Sequence, residues 1–169
     1  ECTVPDVEEF AARMRATLRR YPYLVAVRGG EIVGYAYASR AFARAAYDWV
    51  ADLAIYFKMD HDHHGMARPL YETLMALLKR QQVHKVYALI TADNRKSLRF
   101  HEKLGFTPAG VLKKCGFKLG CWHDVAWLEK ALIDHAVSPS PLIPFAQLKQ
   151  AEIEAVITQK GAGKNEHDR

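Results

Sequence analysis

No stretch of this sequence is apolar for the roughly 20 residues that a membrane-crossing helix needs. Runs such as Tyr23-Leu24-Val25-Ala26-Val27 have the length of a strand. No secretory signal is visible, because Glu1 to Phe10 is acidic and polar. Cysteine is scarce: Cys2, Cys115 and Cys121 cannot all pair, and no CxxC occurs. That excludes a disulfide framework or a cysteine zinc site and fits a reducing cytoplasm. No run reaches five like charges, so a dedicated nucleic-acid arm is not indicated, and no internal repeat is seen. The net charge of +5 is spread along the chain and favours an anionic partner: nucleic acid, a membrane surface or a polyphosphate cofactor. Half of the 169 residues are apolar, enough for one buried core.

The punctuation of the chain predicts its elements. Asp6 with Glu9 three residues later reads as a capping box, and Phe10, Met14, Leu18 and Tyr21 recur at helical spacing. A helix is expected over 7–20, stopped by Pro22. Strands are expected over 23–28 and 31–40 around the Gly29-Gly30 turn, with Gly34 marking a close approach or a bulge. A third strand over 47–57 puts Trp49, Ala51, Leu53, Ile55 and Phe57 on one face and Asp52 and Tyr56 on the other. A helix over 66–82 carries the stripe Leu70, Leu74, Leu77 and Leu78, with Pro69 in its tolerant first turn. A buried strand follows over 85–91, then a short helix capped by Asp93 or Asn94 and ended at Gly105. Strands over 106–112 and 122–129 form a last hairpin. A Pro-rich stretch leads to an amphipathic segment over 145–157, which packs on the domain or on a second subunit. The polar residues 160–169 read as a solvated tail.

This order is that of an α+β domain on a mostly antiparallel sheet. A strand–turn–helix unit stands at its centre. Gly65 and Ala67 at the start of that helix leave backbone N–H groups open to an anion, and His63, His64 and Arg68 add donors. Taken alone, a glycine and an alanine at a helix start are ordinary.

The wider sequence gives this unit a context. Asp62-His63-His64-Gly65-Met66-Ala67 resembles the Q/R-x-x-G-x-G/A loop of the GNAT superfamily of N-acetyltransferases. Asn94-Arg95-Lys96-Ser97 and Leu104-Gly105-Phe106 resemble that superfamily's following helix. Arg44-Ala45-Ala46-Tyr47-Asp48-Trp49 and Gly120-Cys121-Trp122-His123-Asp124-Val125 are similar to phosphinothricin N-acetyltransferases in particular, as is the Pro-rich tail. The resemblance spans roughly residues 20–145.

The resemblance implies a GNAT-like mixed sheet flanked by helices and splayed at a central strand pair, with residues 1–135 as the acetyltransferase domain. Residues 136–169 then form a linker, a short helix and a tail. It implies a strand and a helix ahead of the segment matching residues 1–20, so that an open sheet edge is expected. It implies acetyl-CoA as donor, the amine of a small amino acid or analogue as acceptor, and a homodimer. Carried over by position, the backbone of Ile55, Tyr56 and Phe57 would pair with the pantetheine. His63, His64, Gly65, Met66, Ala67 and Arg68 would hold the pyrophosphate, and Asn94 the cofactor arm. Asp52 stands where the family has Glu and is the expected base; it is one methylene shorter, a gap that a water relay bridges. His101 is the expected acid, and Arg44 and His123 are expected to bind the acceptor.

Each residue also has a blander reading. The run Asp60-His61-Asp62-His63-His64 carries metal-ligand types, but adjacent residues rarely converge on one ion, and no metal is expected. Asp52 reads equally as a solvated strand residue, and His101 as a core-edge histidine. His123-Asp124 reads as a structural pair, Trp49, Trp122 and Trp127 as core, and Cys115 and Cys121 as buried thiols. Arg13, Arg15, Arg19 and Arg20 read as a solvated helix face. Two other functions compete: a CoA-binding domain that no longer transfers acetyl, which Asp52 and Asp62 favour, and a nucleic-acid-binding domain, which predicts steep salt dependence.

Overall fold

The structure is a computed structural model that describes residues 4–59, 65–134 and 138–161, with side chains through residue 159. Helix α1 (Val7–Leu18) starts where Asp6 accepts a hydrogen bond from the Glu9 amide at 2.7 Å. Glu9 turns its carboxylate to Arg13 instead of back to the cap, so only half of the capping box forms. Strands β1 (Tyr23–Arg28) and β2 (Glu31–Arg40) form the hairpin around Gly29 and Gly30, both at positive φ. Gly34 is a close approach: a Cβ there would lie 2.4 Å from the Phe57 ring. The register shift of this hairpin lies elsewhere, between Ala26 and Val27.

Strand β3 (Val50–Phe57) begins three residues later than the sequence suggests. Ala45–Tyr47 instead close a 3-10 turn, and Asp48 behind it takes ion pairs from Arg20 at 2.8 Å and Arg40 at 2.6 Å. Of the expected arginine face, therefore, only Arg13, Arg15 and Arg19 are solvated. Helix α2 (Ala67–Arg80), strand β4 (Lys85–Thr91), helix α3 (Arg95–Lys103), strands β5 (Thr107–Lys118) and β6 (Cys121–Ala131), and helix α4 (Gln150–Gly161) complete the chain. The described residues form a mixed six-stranded sheet in the order β1-β2-β3-β4-β6-β5, flanked by four helices.

One face of the sheet is small and aliphatic: Ala36, Ala38, Ala51, Leu53, Val86, Ala88 and Ile90 are buried there with Tyr71, Leu74, Met75 and Leu78 of α2. The narrow alanines let the helix lie close, and each fully buried leucine stabilises the fold by about 1.5–3 kcal/mol. After β6 the chain returns across this domain. Buried Gln81 donates from Nε2 to the carbonyls of Arg20 and Ile143, at 2.7 and 2.8 Å, and Trp49 Nε1 donates to Ser140 O at 2.7 Å. Helix α4 then packs on α2 through Val156, so the amphipathic end docks on its own domain.

The last hairpin departs from its sequence reading. Both strands run longer than expected, Cys115 and Cys121 are exposed thiols, and Trp122 is 62 % exposed and not part of the core. The reason is position: β5 is an edge strand whose one neighbour is β6, and almost all of it faces solvent. Trp49 and Trp127 are half-buried.

Candidate active site at the sheet divergence

The one parallel pair in the sheet is also its shortest. Strands β3 and β4 are in register only from Val50↔Lys85 to Asp52↔Tyr87, whereas β2/β3 and β4/β6 each hold seven pairs. Beyond Asp52 the two central strands part. The stretch from Leu53 to Phe57 keeps its ladder to β2 and leaves its other edge facing a wedge. Backbone N–H and C=O groups on such an edge are ready to pair with an extended, amide-bearing ligand.

The wedge opens onto a cleft of about 420 Å³ lined by Ile55, Tyr56, Phe57, Lys58, Met59, Ala67, Asn94, Lys96, Ser97 and Phe100. Two helix starts meet there. At α2, Gly65 sits at φ +76° and Met66 precedes the first turn without a side-chain cap, so the N-terminal amides keep no competing acceptor from that residue. At α3, Asn94 is the cap: its Oδ1 accepts from the Ser97 amide at 3.0 Å. Two positive helix ends plus Lys58 and Lys96 make the cleft a site for a polyanion.

Of the residues expected to hold a nucleotide cofactor, the structure brings Ile55, Tyr56, Phe57, Ala67 and Asn94 into this one cleft. Arg68 does not line it; its guanidinium pairs with Glu72 at 2.9 Å along the exposed side of α2. Lys58, Lys96 and Ser97 do line it and were missed, since single polar residues beside a motif carry no periodic signal. His63 and His64, with the rest of 60–64, lie outside the described residues. Among the described residues no group of three His, Cys, Asp or Glu stands where it would hold a metal ion.

Asp52 occupies the fork itself. Its Oδ1 is buried and has no hydrogen-bond partner, and burial pushes its pKa above the ordinary carboxylate value of 3.8. Two clusters of rings lie on the same face. Tyr23, Tyr35, Tyr37 and Tyr56 stack across β1, β2 and β3, with centroids 5.0–6.3 Å apart. Phe42, Tyr47, Tyr87 and Trp127 stand on the other side. Tyr23 is pushed well above the ordinary phenol value by burial and by its three neighbouring phenols. A carboxylate at the floor of an aromatic site is a stronger base than one in water.

His101 is not placed as an acid. It is 3 % exposed and ringed by Tyr71, Phe100 and Phe106. Nδ1 lies 2.8 Å from Ser97 O and Nε2 lies 3.0 Å from Tyr71 Oη. The carbonyl can only accept, so Nδ1 carries the hydrogen and Nε2 accepts from the tyrosine, leaving a neutral ring whose one N–H is held by the Ser97 carbonyl. Burial lowers its pKa below the ordinary 6.5, against the opposing hydrogen bond to Ser97. Tyr71 is the residue that the sequence concealed, as one more apolar position of the α2 stripe. Burial raises its pKa, and so does the charge of Asp52, so its hydroxyl sits within electrostatic reach of the fork.

The two expected acceptor-binding residues do not line the cleft. Arg44 is exposed at the start of the 3-10 turn. His123 bridges two loops: Nδ1 is 3.6 Å from Asp93 Oδ2 and Nε2 is 3.2 Å from Lys118 O. It does not pair with Asp124. That carboxylate instead accepts from Lys113 Nζ and the Lys114 amide, both at 2.8 Å, and these bonds hold it below the ordinary carboxylate value. It thereby clamps the bulge at Lys114, which sits at φ +46°.

Comparison with known proteins agrees with this geometry. Residues 1–127 match the family described as "Acetyltransferase (GNAT) domain". The chain is 37 % identical over 129 residues to a phosphinothricin N-acetyltransferase of Streptomyces viridochromogenes, covering 76 % of this chain and 70 % of that one. It is 29 % identical over 116 residues to an L-methionine sulfoximine/L-methionine sulfone acetyltransferase of Salmonella typhimurium, covering 69 % and 68 %. The crystal structure of a GNAT superfamily phosphinothricin acetyltransferase from Sinorhizobium meliloti in complex with AcCoA superposes with a TM-score of 0.78 at 30 % identity, over 88 % of this chain and 82 % of that one. The strand edge, the two helix starts and the lysines suit the amides and phosphates of such a donor. With a divergent central strand pair, a cleft for a polyanion and these relatives in agreement, the chain belongs to the GNAT family of acetyltransferases, with acetyl-CoA as its acetyl donor.

Proposed function

We propose that the protein acetylates the primary amine of a small amino acid or analogue of the phosphinothricin or methionine sulfoximine type, with Asp52 as the base. The observation that carries the reading is the buried, unpartnered Oδ1 of Asp52 at the fork between β3 and β4. Near neutral pH the amine arrives protonated. Asp52 takes that proton, directly or through a water. The amine nitrogen then bonds to the acetyl carbon as the carbon–sulfur bond breaks; the nitrogen gives its second proton to solvent, the departing thiolate takes one from solvent, and Asp52 returns its proton to solvent. Ile55, Tyr56 and Phe57 pair with the pantetheine through the free edge of β3; Gly65, Met66 and Ala67 receive the pyrophosphate, and Asn94 the arm. His101 acts at one remove, by fixing Tyr71 below the fork. Arg44 and His123 are carried over by position alone as further groups for the acceptor.

The transfer is assigned to residues 1–135. A homodimer belongs to this reading and is supported by the uncovered Phe117, Leu119 and Trp122 at the β5–β6 tip. The cytoplasm is supported by the exposed free thiols of Cys115 and Cys121. Thiol release from acetyl-CoA, measured with a panel of amines that includes phosphinothricin and methionine sulfoximine, tests the function. Release with an amino acid of this class is the expected result. A thermal shift on adding CoA without release for any amine would replace it with a CoA-binding role.

A further inference from the structure

Four buried side-chain polar atoms among the described residues lack a hydrogen-bond partner: an Arg20 guanidinium nitrogen, Gln81 Oε1, Asp52 Oδ1 and Trp127 Nε1. The Arg20 nitrogen has its ion pair with Asp48, and Gln81 belongs to the junction beneath the returning chain. The other two share the open face of the sheet. Tyr87 is opposite Asp52, and Trp127 is opposite Leu89, two residues further along the same strand. Two residues along β4 and two strand spacings across put Asp52 and Trp127 on the order of 12 Å apart at the backbone, on either side of the gap. One offers an acceptor and the other a donor.

We infer that the Trp127 indole N–H is a ligand-binding group that donates to a carboxylate oxygen of the acceptor while Asp52 faces its amine. The inference rests on the acetyltransferase reading above and narrows it: the acceptor is an amino acid whose carboxylate lies a few bonds from the nitrogen that is acetylated. The indole is built to hold still. Tyr87 meets it edge-on at 5.5 Å and Phe42 tilts over it at 5.9 Å, so the ring is held in place without needing the ligand to order it. A buried N–H with no acceptor is costly in a finished core, and a bound oxygen removes that cost.

The test compares an α-amino acid acceptor with the amine that lacks its carboxylate, in the full chain and in Trp127→Phe, which keeps a ring. The amino acid's KM is expected to rise about tenfold or more in the variant. The KM values for the decarboxylated amine and acetyl-CoA are expected to stay put. An unchanged KM for the amino acid would overturn the inference, and so would an equal rise for both acceptors, which would mean lost packing. A measurement on the unmutated protein covers a variant that does not fold. The Trp127 indole N–H resonance is expected to move downfield on adding the amino acid and not on adding the amine; the same response to both would overturn the inference. Failure of the unmutated protein to acetylate any amine would overturn the underlying reading instead.

Discussion

The two faces of this sheet are made differently. On the side of α2, alanines, valines and leucines make up most of the buried surface, and the buried Tyr71 hydroxyl has His101 as its partner. On the other side stand eight aromatic rings, an unpartnered carboxylate oxygen and an unpartnered indole N–H, around strands that have let go of each other. The first face stabilises, and the second holds polar atoms that a folded chain alone leaves unsatisfied. Stability and activity are therefore expected to separate by face. The exception is the Tyr71–His101 pair, which belongs to the buried side but reaches the fork.

The largest expected effect breaks activity alone. Asp52→Asn should lower kcat by about 10²–10⁴-fold. It should not lower the melting temperature at neutral pH. Because burial raises this pKa above 3.8, the carboxyl costs nothing when protonated in both states. The cost develops as pH rises past 3.8 and is complete above the native value, so removing the charge raises the melting temperature at pH 7. A thiol-release assay and a melt on one preparation check both halves. For the same reason the acid limb of the rate profile should lie above the ordinary carboxylate range.

Leu74→Ala, on the opposite face, should cost about 2–5 kcal/mol in denaturant unfolding and leave turnover per folded molecule unchanged. A matching loss of kcat would show that the faces are not separable. Tyr71→Phe sharpens the boundary between them: it strands the Nε2 of buried His101 and should cost about 1–3 kcal/mol, with a several-fold loss of kcat. Acid should act through the same pair. With His101 held below 6.5, the unfolded chain takes the proton first, so its contribution is complete above about pH 6.5 and is lost as pH falls toward the native value. Melts from pH 8 to 5 should show this fall. The smallest effect is remote from both faces: Asp6→Ala removes the α1 cap, for about 1 kcal/mol and no change in kinetics.

Much of the fold was legible because its signals are local. Asp6, the Gly29-Gly30 turn, Asn94 and Gly105 mark ends that the structure keeps nearly to the residue. Ile55, Tyr56, Phe57, Ala67 and Asn94, which motif resemblance singles out, line one cleft, whereas Arg68 from the same motif does not. What was not legible depends on partners far along the chain. The number of rungs between β3 and β4 leaves no trace in either strand. An edge strand and a central strand can share one composition, which is why Cys115, Cys121 and Trp122 were read as buried. Tyr71 carries the helical period of its leucine neighbours, so its bond to His101 appears only when α2 and α3 meet.

Three rungs between β3 and β4 also have a consequence for the dynamics of the fold. The β1-β2-β3 half and the β4-β6-β5 half meet at the seam of this short pairing, and one core under α2 spans both. Amide protons flanking the seam should exchange through an opening smaller than global unfolding, while those at the centre of β2/β3 and β4/β6 exchange only with it. A ligand that pairs with the free edge of β3 supplies the rungs that the sheet omits. Its binding energy then appears as slower exchange on both sides of the seam at once, the free energy of opening rising by RT ln(1 + [L]/Kd).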